Sequence, residues 1–82
     1  MSLVELTEFI VKSLVNDKDS VSVKEFESDD ENVTLIQVLV DSSEIGRVIG
    51  KGGKTANSIR NLVQASSSLH ENKKVKINID TF

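Results

Sequence analysis

All four glycines of this 82-residue chain fall within one stretch, Ile45-Gly46-Arg47-Val48-Ile49-Gly50-Lys51-Gly52-Gly53-Lys54-Thr55, together with three of its ten basic residues. Glycine weakens helices and strands, so a chain gathers it where backbone turns tightly or comes close to another molecule. Basic side chains beside such a loop suit one chemistry above others, the holding of a phosphate by backbone amides and Coulomb attraction. Gly50, Gly52 and Gly53 let main chain approach an anion without a Cβ in the way. Lys51 and Lys54 add charge, and Arg47 and Arg60 are placed for neighbouring phosphates. Ile45, Ile49 and Ile59 offer either an apolar groove for unstacked bases or simple core packing.

Other chemistries find less support. Gly53-Lys54-Thr55 matches the end of a Walker motif, but the glycine required five residues earlier is Val48, and no strand leads directly into the loop. A dinucleotide-binding G-x-G-x-x-G starting at Gly50 fails at Thr55, and the chain is too short for paired nucleotide-binding halves. Gly46 and Gly50 form G-x-x-x-G without the long apolar helix that would give that spacing a membrane meaning. There is one histidine, His70, and no cysteine, and the serines lie at polar ends and turns, so no catalytic residue is assigned. Asp29-Asp30-Glu31 reads as a solvated turn rather than a metal site, and no cofactor is expected. The three aromatics, Phe9, Phe26 and Phe82, all lie away from the basic loop in sequence, which argues against an RNA-recognition fold built on stacked aromatics.

The elements that must position the loop follow from periodicity. Leu3, Leu6, Ile10 and Leu14, with Val11 and Val15 beside them, mark a helix face, and Ser2 with Glu5 forms a capping box before it. Val21, Val23 and Phe26 predict a short strand whose alternation slips near Glu25, as at a bulge. Ser28 to Asn32 is a polar turn, and Val33 to Val40 is apolar on both faces, as a central strand would be. Asp41 and Glu44 are expected to cap a short helix through Ile49, and Ala56, Ile59, Leu62 and Val63 mark a longer helix ending at Ser66-Ser67-Ser68 and His70-Glu71-Asn72. Val75, Ile77 and Ile79 then alternate with polar residues as a half-buried strand. The order is α-β-β-α-α-β, an α+β fold with a three-stranded sheet and helices on one face.

Charge is segregated. The chain carries a net −3, yet residues 1–44 hold three lysines against eleven acids, while residues 45–70 hold Arg47, Lys51, Lys54 and Arg60 and no acid. A polyanion is therefore drawn to the glycine loop and repelled from the N-terminal half.

Gly50-Lys51-Gly52-Gly53 reads as G-x-x-G, and between a short helix ending in Ile49 and a second helix through Ile59 it resembles the nucleic-acid clamp of KH domains. The extra helix and strand precede this core, as in type II, bacterial-style KH domains. With residues 1–82 expected to form one domain, the chain is similar to small stand-alone bacterial KH proteins of the KhpA type. The resemblance implies a non-catalytic module that grips the backbone of about four nucleotides of single-stranded RNA. Gly46, Arg47, Ile49, Gly50, Lys51, Gly52, Gly53, Lys54 and Arg60 are its expected contacts. It also implies a homodimer or a larger KH-family partner, and a part in post-transcriptional regulation or RNA chaperoning. With no signal peptide or membrane-length apolar run in view, a cytoplasmic location is expected. Many KH domains carry an isoleucine three residues beyond the second loop glycine; here that position is Ala56, with Ile59 one turn later. The contrasting expectation is a protein-interaction adaptor whose acidic half docks a partner and which binds little RNA.

Overall fold

The computed structural model describes Met1–Phe82. Helix α1 spans Leu3–Leu14, and Ser2 and Glu5 close its capping box: Glu5 N–H donates to Ser2 Oγ (3.1 Å) and Ser2 N–H to Glu5 Oε1 (3.0 Å). The buried line along α1 runs through Leu3, Thr7 and Val11 to Val15 just beyond, with Leu6, Ile10 and Leu14 on its half-buried flank. Thr7 belongs to this line despite its hydroxyl, because Oγ1 donates to the Leu3 carbonyl at 2.7 Å and leaves no polar group unpaired. A polar residue at the centre of the face shifts the expected stripe by a fraction of a turn.

Strands β1 (Ser22–Phe26) and β2 (Val33–Val40) pair antiparallel, and β2 pairs parallel with β3 (Lys74–Thr81), giving the order β1-β2-β3 with β2 central. Register advances one residue at a time from Ser22↔Leu39 to Phe26↔Leu35, so there is no bulge near Glu25. The slip in alternation has another cause: Phe26 lies on the opposite face from Val23, beside Leu35, where it stays 48% exposed. In the connecting turn, Asp30 accepts the Asn32 N–H at 2.8 Å and the Ser28 hydroxyl accepts the Asp30 N–H at 3.1 Å.

Helices α2 (Ile45–Ile49) and α3 (Lys54–His70) follow β2 and are joined by a tight turn over Lys51–Gly53, in which the Gly53 N–H donates to the Gly50 carbonyl at 3.2 Å. All three helices lie on one side of the sheet. The core joins Leu3, Val11 and Val15 to Val23, Ile36, Val38, Val40 and Ile77 from the strands and Val48, Ile59 and Val63 from the later helices. Leu62 departs from the predicted face of α3 and is 58% exposed; the buried line is Ala56, Ile59, Val63 and Ser67. The serines do not end α3, since Ser67 is fully buried with Oγ donating to the Lys73 carbonyl at 2.7 Å. The helix stops after His70, where the Glu71 and Asn72 amides both reach back to the Ser67 carbonyl (2.8 and 2.7 Å) and Asn72 takes a left-handed φ of 54°.

The outer edge of β3 is held by α3: Gln64 accepts the Val75 N–H at 2.8 Å and donates to the Lys73 carbonyl at 3.0 Å, and Arg60 Nε donates to the Ile77 carbonyl at 3.2 Å.

Candidate nucleic-acid interface

The chain turns from α2 to α3 through three residues of positive φ: Gly50 (75°), Gly52 (64°) and Gly53 (79°). Gly50 is the most constrained. Its ψ of 174° puts it in a region almost confined to glycine. A Cβ there would also run into the Thr55 hydroxyl and lie 2.9 Å from the Thr55 amide nitrogen. Gly52 and Gly53 face open space, as does helical Gly46, so the outer surface of the loop presents bare backbone.

Gly53 precedes α3 without a side-chain cap; the Gly53 and Lys54 amides donate to the Gly50 and Lys51 carbonyls, and no side chain caps the amides that follow. Lys51 and Lys54 flank these amides, are exposed and form no salt bridge. Arg47, one turn earlier on α2, is exposed with Nε 3.8 Å from Glu44 Oε1. Backbone donors, the positive end of a 17-residue helix and three cations thus gather on one surface, an arrangement that attracts anions.

Gly46, Arg47, Ile49 to Gly53 and Lys54 form one continuous run along this surface. Arg60 stands apart, six residues into α3 and hence about 9 Å further along the axis, with one guanidinium nitrogen committed to β3. Of the three isoleucines, Ile59 is 1% exposed and Ile45 packs against the core. Ile49 is half-buried and lies outside the core cluster, which leaves it as the apolar wall next to the loop. Ala56 is 2% exposed, so the departure at this position is a change within the core beneath the loop.

Sequence reasoning missed the part played by Glu44. It precedes α2 without capping it. Its carboxylate, on a residue only 6% exposed, instead accepts the Asn16 N–H at 2.7 Å and the Asp17 N–H at 3.0 Å, tying the segment after α1 to the start of α2. These two backbone donors, aided by Arg47, hold the Glu44 carboxyl below the usual glutamate range. Asp41 likewise closes a local turn, accepting from Ser43 N–H (2.9 Å) and Oγ (2.7 Å), which lowers its carboxyl as well. The Glu44 contact spans 28 residues, and no local spacing signals it.

A family model described as the KhpA/KhpB KH domain matches residues 4–79. The chain belongs to the KhpA/KhpB KH-domain family. Among relatives, RNA-binding protein KhpA of Borreliella burgdorferi is 38% identical over 76 residues, covering 93% of this chain and 89% of the relative. RNA-binding protein KhpA of Clostridium perfringens is 40% identical over 75 residues, covering 92% and 96%. The fold is also that of part of Era. The structure of Era with MgGDPNP and nucleotides 1506–1542 of 16S ribosomal RNA superposes with a TM-score of 0.68 at 20% identity, over 96% of this chain and 29% of Era. A tyrosine-to-alanine variant of Aquifex aeolicus Era bound to GDP and AlF4− gives 0.70 at 20% identity, over 98% and 30%. This chain therefore spans under a third of the Era chains, and at that identity the likeness concerns architecture alone.

Proposed function

We propose that this KhpA/KhpB-family chain is a non-catalytic, cytoplasmic single-stranded RNA-binding module whose clamp is the Gly50-Lys51-Gly52-Gly53 loop. The observation that carries the proposal is the coincidence, on one surface, of bare glycine backbone, the uncapped start of α3 and the unpaired cations Lys51 and Lys54. Phosphates dock on these groups, Gly46 allows the strand to pass close to α2, and Ile49 lies beside the bases. Arg47 and Arg60 extend the track to either side.

The relatives named RNA-binding protein KhpA support the ligand class. A contact of about four nucleotides gives limited affinity and little sequence selectivity, so a second binding site, from a homodimer or a larger KH-family partner, would raise avidity. Regulation of messages after transcription, or RNA chaperoning, fits such weak and repeated contact.

The test is a titration of fluorescently labelled single-stranded RNA over a range of salt concentrations. Four phosphate contacts, from Arg47, Lys51, Lys54 and Arg60, predict that log K falls against log salt with a slope of about −3. Salt-independent binding would contradict a backbone clamp.

A further inference from the structure

The face of the sheet turned away from the helices is uncovered. Strand register places three cross-strand rows on it: Phe26, Leu35 and Lys76; Lys24, Gln37 and Asn78; Ser22, Leu39 and Asp80. Val33 and Lys74 lie beside the first row. Phe26, Leu35, Gln37, Lys76 and Asn78 line a groove of about 440 Å³.

The chemistry of this groove is specific in kind. Its floor is an exposed aromatic ring beside an aliphatic side chain, its centre holds two carboxamides, and Lys24, Lys74 and Lys76 surround it with Asp80 the sole carboxylate on the face. In a protein of net charge −3 this is a second positive surface, separate from the loop. A base stacks on an aromatic ring, carboxamides reach base edges with both donors and acceptors, and lysines accompany the phosphates. We propose that the open sheet face is a second contact for single-stranded RNA, engaged by the same strand after it leaves the glycine-loop clamp; the inference rests on the clamp reading above. The acidic β1–β2 turn, with Glu27, Asp29, Asp30 and Glu31, adjoins the Phe26 end and repels phosphate, so the strand runs from Phe26 toward Lys24 and Asn78. An acidic peptide would satisfy the lysines but would leave Gln37 and Asn78 without a distinctive role.

Isotope-labelled protein titrated with tetra-uridylate and dodeca-uridylate tests the assignment by NMR. The tetramer is expected to shift resonances of residues 46–54 and of Arg60 alone. The dodecamer is expected to shift, in addition, the Phe26 ring, the Leu35 methyls and the side-chain amides of Gln37 and Asn78. Phe26→Ala should weaken dodecamer binding about fivefold, the lower end of one base–aromatic stack, and leave the tetramer unaffected. Lys76→Glu, at an exposed site, should act in the same direction without touching packing. Dodecamer shifts confined to the loop would overturn the sheet site while leaving the clamp intact. Sheet-face shifts produced by poly-glutamate but not by RNA would reassign the face to a protein partner. Absence of shifts with either RNA would overturn both readings.

Discussion

At the scale of single residues, the loop separates glycines required for conformation from a glycine that is not. Gly50 combines a φ of 75° and ψ of 174° with a prospective clash of any Cβ against Thr55. Gly50→Ala is expected to cost about 1–3 kcal/mol, which for a domain of this size lowers Tm by roughly 5–20 °C. Gly46 is helical, and a Cβ added there meets nothing within 4 Å. Gly46→Ala should therefore leave stability unchanged or raise it by up to about 0.8 kcal/mol of helix preference. If the RNA strand passes close to α2, that variant binds RNA more weakly while folding normally. Thermal unfolding of the two variants, alongside RNA titration of the second, separates these effects.

At the scale of elements, the junction before α2 depends on a charge. The Glu44 carboxylate accepts two backbone amides from the segment after α1, and its pKa is lowered in the folded protein. A group with a depressed folded pKa stabilises the fold above its unfolded pKa, and that stabilisation is lost as pH falls through the folded value. Wild-type Tm is therefore expected to drop on acidification below the ordinary glutamate range. Glu44→Gln should begin with a lower Tm near neutrality and show a shallower drop, measured by circular dichroism at a series of pH values. Equal pH dependence in both proteins would remove Glu44 from this role. The element order, the central β2 and the α1 capping box were legible because each is written in local spacing: Val33 to Val40 as an apolar run, Val75 to Ile79 as alternation, Ser2 and Glu5 three apart. What stayed hidden depends on tertiary partners. Thr7 and Ser67 become core only because the Leu3 and Lys73 carbonyls accept their hydroxyls, Leu62 is excluded because Val63 takes the buried line, and Glu44 turns away from α2 toward amides 27 and 28 residues distant.

For the molecule as a whole, a single helix-covered face of a small sheet carries the core, so central positions weigh heavily. Ile36, 2% exposed on β2, should lose about 2–5 kcal/mol on substitution by alanine, read as a lower midpoint in urea. Leu62→Ser on the exposed flank of α3 should change stability by no more than about 0.5 kcal/mol. The division of charge between an acidic N-terminal half and a cationic loop was visible in sequence, and folding leaves Lys51 and Lys54 unpaired beside the uncapped start of α3. The measurement that tests the central claim most directly compares wild type with a Lys51→Asp, Gly52→Asp double variant for binding of a short single-stranded RNA at low and moderate salt. Aspartate is among the residues that best tolerate the left-handed conformation of Gly52, whose Cβ position is open, so the variant is expected to fold. The account predicts salt-sensitive binding by wild type and a loss of about tenfold or more in the variant. Equal binding by two folded proteins would contradict it and place the RNA elsewhere on the molecule.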